Sequence, residues 1–569
     1  MPARFSEIGG QSERVRTKTM QTEMLIEAGA GTAPQKTKML ERISPWLAPL
    51  AGALIFLPTL WYGFVWDDAY AIVGNASLRS WKTLTQVLWG PLDPTTAMYR
   101  PITSLVIFFQ FRLFGVHPWG YHLTSLLLHA LACALVYRVA LRLSQKSSVA
   151  LFASLLFAVH AAHLEAIAWV SALAEPMVAS AVLVGILCYL RYREAGETRW
   201  LAATCLSFFA GLLIKETAII LPLLLLAYEF SYAGWSFRIL RGNLPIIAGL
   251  SCTGLLYVTI RRFVYTGFIY NESKLPFSTL IFTWPSLLLG YCRHLLAPAP
   301  LSPFYDSSYV TEANAAFWLP LLVLAAVAAA AYFASRMFGN GGLIRFCILA
   351  MAISIIPVLD LNIFQFREIM HDRFLYIPSV FFALLAGHLL FGGHGQNDLH
   401  RRPSGKTSPG IISVALATSL VLLNIAALLV QSPAWQNDVA LMSYAVRIAP
   451  NNPRPAFSLA LTYLERGDLP QAERMLQHVV QIAPAPRALF MLGETRLRMG
   501  DAALAEQPLR QAIAVAPDRP GLHFTLGECL QMLGRTDDAR AEFKAETSIA
   551  SDYREAALQR LSQLQTARP

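Results

Sequence analysis

The chain has 569 residues, 55% of them hydrophobic and only 14% charged, with a mean hydropathy of +0.45. Soluble domains carry nearer a quarter charged residues, so the composition excludes an ordinary soluble protein and points to an integral membrane protein. The formal net charge of +10 does not argue for nucleic acid, because many Lys and Arg flank apolar runs, where orientation and anionic lipid account for them.

Residues 1–44 mix both charges with Gly, Ser and Thr and show no apolar period. They read as a flexible cytoplasmic leader. The first apolar run begins near Pro45 without a cleavage signal, so it is expected to remain as an anchor. From 45 to 431 the apolar runs are about 17 to 24 residues long, long enough to cross a bilayer as helices. The short alternating segments of an outer-membrane barrel are absent. Eleven spans are expected, near 45–63, 119–142, 149–169, 174–190, 200–214, 217–232, 244–261, 316–335, 343–359, 373–391 and 410–430. Residues 281–297 stay open between interfacial, re-entrant and spanning. The basic connections "RLSQKS", "RYREAGETR", "FRILRG" and "HRRPSGK" assign one face to the cytoplasm. The Asp67 loop, residues 160–175, 263–315 and 360–372, and everything past 431 then fall on the outer face. Seven cysteines without a CxxC pair imply neither a disulfide framework nor a zinc site.

Past Gln431 the composition turns polar and repeats. Gly467, Gly500 and Gly534 recur at 33 and 34 residues, each followed five positions later by Ala472, Ala505 or Ala539. Pro450, Pro484 and Pro517 recur at 34 and 33. This is the period of the tetratricopeptide repeat, in which small residues allow close helix packing and Gly the turn between helices. Residues 432–569 are therefore expected to be a repeat superhelix, ending in a polar capping helix at 551–567.

Several stretches could carry chemistry. In "FVWDDAYAIVGN" the acids Asp67 and Asp68 follow the first span. They read either as a solvated interfacial pair or as a general base or metal ligand. Arg100 precedes the next apolar segment, and a carboxylate with an Arg suits an acceptor to be deprotonated and a phosphate to be held. In "FAVHAAHLEAIAWVSALAEP", His160 and His163 would share a helix face, with Glu165 and Glu175 nearby. Alone, that spacing is a weak metal signature and equally fits interfacial histidines bonded to loops. Lys215 stands where two short spans meet, and "MHDRFLYIPS" brings Asp372, Arg373 and Tyr376 to a span's outer start. Arg373 is expected either to clamp a phosphate in a bidentate manner or to pair with Asp372 at the surface.

"FVWDDAYAIVGNASL", "YRPITSL", "HPWGYHLTSLLLHALACALVYR", "HAAHLEAIAWVS", "KETAIILP" and "DRFLYIPS", followed by the repeats, resemble the TMTC family of transmembrane, tetratricopeptide-repeat O-mannosyltransferases and their bacterial relatives. The resemblance covers roughly residues 60–380 plus the repeat domain. It implies an all-α fold: a polytopic GT-C-like bundle over 45–431 joined to the repeat superhelix. It also implies sugar transfer from a polyprenyl- or dolichyl-phosphate donor to Ser or Thr of exported proteins, by an inverting mechanism. Asp67 and Asp68 become the acidic pair of the first external loop, one of them the base, with Asp68 slightly favoured. Arg100, His160, His163, Glu165, Lys215 and Arg373 fall on matching motif positions, and Glu175, Asp372 and Tyr376 complete the expected substrate-binding set. Departures are Ala161, where the family usually has Pro, and "ALAEP", where bacterial relatives often carry Arg-Lys-Asp. No cofactor is certain; Mg or Mn at the acidic pair is one option. The expected partners are the lipid-linked sugar, an acceptor protein held by the repeats, and the bilayer. The alternatives are a non-catalytic scaffold displaying the repeats, or transfer to envelope glycan or lipid. Short external loops and the lack of a retention signal favour a bacterial inner membrane, active on its periplasmic face, over the endoplasmic reticulum.

Overall fold

In hydrocarbon every backbone N–H and C=O must find its partner within the chain, which a helix provides residue by residue. The computed structural model describes residues 35–90, 98–234, 241–264, 274–298, 300–337, 340–364, 368–393, 410–550 and 552–566, and all regular structure among them is helical. The leader through residue 34 and the "HRRPSGK" connection lie outside the described residues.

Among the described residues, nine helices are long and apolar enough to cross a membrane. They are Ile43–Trp61, Pro118–Ser144, Val170–Ala195, Glu216–Ala233, Leu244–Val264, Ala315–Met337, Gly341–Val358, Asp372–Phe391 and Ile411–Trp435. Ser147–Ala158 and Ala161–Ala168, bent by 50°, add a tenth as a broken span. Thr198–Ile214, the remaining expected span, has 17 residues and stands among the shorter apolar helices. At 1.5 Å per residue it reaches about 25 Å, the lower limit for a spanning helix, and it leads from the end where Arg193 pairs with Glu229 to the end where Lys215 pairs with Glu175. The segment left open at 281–297 forms a helix, Phe277–Leu296, but does not qualify as a span.

Val170–Ala195 is the most enclosed of these helices and packs against Pro118–Ser144 and Thr198–Ile214. Close approach is built in: a Cβ on Gly185 would stand 2.6 Å from Leu221 Cδ2, so a larger residue there would have to displace the Leu221 side chain. Ala315–Met337 lies at the periphery with its apolar surface uncovered, the face a bilayer would cover. At one end of the bundle sit residues of the basic connections: Arg142 pairs with Glu194, Arg193 with Glu229, and the Lys146 ammonium donates to the Gly392 carbonyl. At the other end, the Asp67 loop, residues 160–175 and the segments around 305 and 370 meet one another.

The repeats form antiparallel helix pairs, Pro453–Glu465 with Leu469–Ile482, Pro486–Arg498 with Ala502–Val515, and Leu522–Met532 with Thr536–Thr547. Gly467, Gly500 and Gly534 have φ of +74°, +89° and +75°, the left-handed turn that the recurring Gly predicts. Ala472, Ala505 and Ala539 are fully buried where the helices touch. Tyr553–Thr566 packs Ala557 and Leu564 into the same core as Phe543 and closes the array.

Candidate active site

The first span ends in a 3-10 turn, Leu57–Trp61, and the chain then reverses at Trp66, whose φ is +56°. A bulky residue in that region is strained and must be held there. Three contacts hold it. Its N–H donates to Asp438 Oδ1 at 2.6 Å, its ring stacks on Trp169 at 4.7 Å and 20°, and Phe304 closes from the side at 5.0 Å. Beyond Asp68, Ala69–Val73 forms a turn of π-helix, a conformation that recurs at functional sites.

This geometry separates the two acids. Asp68 is fully buried: Oδ1 accepts from Ser171 N–H at 2.8 Å and Ser171 Oγ–H at 2.5 Å, and Oδ2 from Val65 N–H at 3.2 Å. Burial raises its pKa to about 7, against the lowering effect of those bonds. Asp67 is exposed.

The cations converge beside this loop. Arg100 caps the helix Pro101–Phe114, where Pro stands at the first helical position, and its Nε and Nη2 reach Glu216 Oε2 at 3.0 and 2.9 Å. The Lys215 ammonium pairs with Glu175, both buried, and lies 5.0 Å from the centre of the Phe374 ring. Arg373 pairs with Glu165 through its guanidinium, and its backbone N–H adds a 3.0 Å bond to the same carboxylate. That guanidinium lies 4.9 Å from Phe374 and 5.1 Å from Trp169. Burial lowers the Lys215 pKa, Glu175 opposes, and Arg100 and Arg373 push it further down, so the three cations feel one another. A continuous series results: acid loop, Trp66, Trp169, Arg373, Phe374, Lys215. Glu368 sits between the domains, ion-paired with Arg454 at 2.8 Å. Burial raises its pKa, Arg454 and Arg373 oppose, and Asp67 raises it further.

Several residues expected to bind substrate are engaged with partners inside the protein. His160 and His163 are fully buried around a 3-10 turn, not on one helix face, with ring centroids 5.5 Å apart. His160 Nε2 bonds the Leu295 carbonyl at 3.1 Å, and His163 Nε2 meets Ser379 Oγ at 2.7 Å. Asp372 does not pair with Arg373: it bonds His294 Nδ1 at 2.7 Å and accepts from the Tyr305 hydroxyl at 2.5 Å. Tyr376 bonds His129 Nδ1 at 2.7 Å, and Glu165 and Glu175 are spent on Arg373 and Lys215. The physical reason is common to all: ionisable groups this deep need partners, and the partners come from distant helices. Both Asp68 oxygens are likewise committed, and among the described residues no three His, Cys, Asp or Glu converge on a metal position. No step is derived through Mg or Mn.

Local patterning does not point to Ser171, Glu368, Asp438 or Arg454. Ser171 and Trp169 do lie inside the histidine-containing stretch, so the stretch carried the signal while the residues within it did not. Asp438 and Arg454, on repeat-domain helices, have no local signature.

A family model described as dolichyl-phosphate-mannose-protein mannosyltransferase matches residues 99–260, and tetratricopeptide-repeat models match 457–520 and 496–564. The Drosophila melanogaster protein O-mannosyl-transferase Tmtc2 is 38% identical over 271 residues, 44% of this chain and 29% of the relative. Tmtc3 of the same organism is 27% identical over 508 residues, 74% of this chain and 53% of the relative. The chain thus spans less than two thirds of each relative's length. ArnT from Cupriavidus metallidurans bound to undecaprenyl phosphate aligns over 88% of each chain at 16% identity and a TM-score of 0.40, a level at which the helices themselves must define the fold. Through its ordered motifs, the matched family region and the repeats, this chain is similar to the TMTC-type protein O-mannosyl-transferases and carries a tetratricopeptide-repeat domain.

Proposed function

We propose that the chain transfers a hexosyl group, mannose in the first instance, from a polyprenyl- or dolichyl-phosphate carrier to Ser or Thr hydroxyls of exported proteins, at the periplasmic face of a bacterial inner membrane. The observation that carries this reading is the meeting, at one end of the bundle, of an exposed carboxylate with three anchored cations. The mannosyltransferase names of the matched family and relatives favour mannose, and the repeat domain beside the acid loop favours a protein acceptor.

Asp67, the exposed acid, takes the proton from the acceptor hydroxyl as that oxygen bonds to the anomeric carbon. The bond from that carbon to the phosphate oxygen breaks, and its electron pair stays on the phosphate, so the configuration inverts. The leaving phosphate needs charge neutralisation more than a proton. Arg100, Lys215 and Arg373 supply it from positions fixed in advance by Glu216, Glu175 and Glu165. Asp68, enclosed by Ser171 and Val65, shapes the loop that presents Asp67. The reading is tested by incubating the full chain in nanodiscs with labelled polyprenyl-phosphate mannose and exported acceptor proteins. Mass spectrometry should find hexose on Ser or Thr only when the chain is present. Label that stays on lipid or appears on glycan alone would rule out the protein acceptor.

A further inference from the structure

Between the acid loop and the helix that starts at Pro101 lies a cavity of about 480 Å3, within the size range of small-molecule sites. Among the described residues its lining is uncharged: Asn75, Gln86, Ser104 and Ser171 offer amide and hydroxyl groups, and Leu78 and Ile107 apolar surface. Two of these residues tie it to the chemistry. Ser171 also donates its N–H and O–H to Asp68. Ser104 stands one helical turn beyond Arg100, its N–H bonded to the Arg100 carbonyl at 2.9 Å. The cavity therefore touches the serine that holds Asp68 and begins one helical turn beyond Arg100.

Ser104 supplies the second observation. Its Oγ is buried and has no hydrogen-bond partner, although a helical serine can ordinarily turn back to the carbonyl one turn earlier. Buried hydroxyls are almost always paired, so one that lines a cavity and makes no bond is suited to a ligand.

We propose that this cavity receives the transferred sugar ring of the lipid-linked donor, a neutral hexosyl group; the assignment rests on the transferase reading above. A neutral wall suits an uncharged sugar and would leave a phosphate or carboxylate uncompensated. Mixed amide, hydroxyl and aliphatic surface matches a ring with hydroxyls on its rim and C–H groups on its faces, whereas a polyprenyl chain needs an apolar wall alone.

The test is equilibrium binding to the full chain in nanodiscs of two probes, polyprenyl-phosphate mannose and polyprenyl phosphate without sugar. Ser104→Ala should weaken the mannosylated lipid about tenfold, the worth of one hydrogen bond, and leave the bare lipid phosphate unchanged. Gln86→Ala, at an exposed position, should act in the same direction and keeps the test open if the Ser104 variant misfolds. Equal losses for both lipids, or no loss for either, would overturn the cavity assignment and leave the donor reading standing. A wild-type chain that binds neither lipid would overturn both.

Discussion

Asp68→Asn isolates the electrostatics of the acid loop. Burial lifts the Asp68 pKa from 3.8 to about 7, so between those values the unfolded chain has lost this proton while the folded chain keeps it. The unfolded state then binds fewer protons, and wild-type stability must fall as pH rises through this window, levelling above about pH 7. At about 1.4 kcal/mol per pH unit, the whole window amounts to roughly 4 kcal/mol, of which roughly 3 kcal/mol falls between pH 5 and 8. Asn at 68 keeps the shape and cannot ionise. The Asn amide N–H2 cannot accept from Val65 as Oδ2 does, a cost that does not change with pH; between pH 5 and pH 8 the wild type should lose its roughly 3 kcal/mol relative to the variant. Melting of both proteins in the same detergent, at pH 5 and pH 8, measures this, and taking the difference between them removes every other titrating group. Parallel pH dependences, or a wild type that gains on the variant as pH rises, would refute the assignment of Asp68 as an acid held up by desolvation.

Glu175→Gln should destabilise the chain by about 3–5 kcal/mol, because it leaves the Lys215 ammonium buried without its partner. The double variant Glu175→Leu with Lys215→Met should recover much of the melting temperature but not transfer, separating the pair's structural role from its phosphate role. Asp438→Ala removes the acceptor that holds Trp66 at positive φ. It should lower kcat about tenfold with the affinity for lipid-linked sugar unchanged, and a parallel fall in donor binding would contradict a role confined to the loop.

Much of the architecture could be read from the sequence because it is local. Twenty apolar residues make a spanning helix wherever they stand, and Gly at a 33–34 spacing marks a repeat turn, so the bundle and the superhelix followed directly. The acids and cations of the site were also visible, since charge at the edge of an apolar run is conspicuous. Their partners were not. Lys215 finds Glu175 and Arg373 finds Glu165 across 40 and 208 residues, a choice made by helix packing that no short pattern records. The same limit explains the histidines: an i, i+3 spacing implies a shared face only on a continuous helix, and the chain breaks between Ala158 and Ala161. It also explains the preference between the acids. Asp67 and Asp68 are equivalent in sequence, and only the folded loop, with its Ser171 contact, encloses one and leaves the other exposed.

The central claim is that Asp67 takes the acceptor's proton during transfer from a lipid-phosphate sugar. Single-turnover transfer from polyprenyl-phosphate mannose to an acceptor protein, comparing the wild type with Asp67→Asn, tests it most directly. The variant should lose about 10²–10⁴-fold in rate, the usual contribution of a general base, while still binding the donor and melting at the wild-type temperature. A variant that transfers within a few-fold of the wild-type rate would contradict the account.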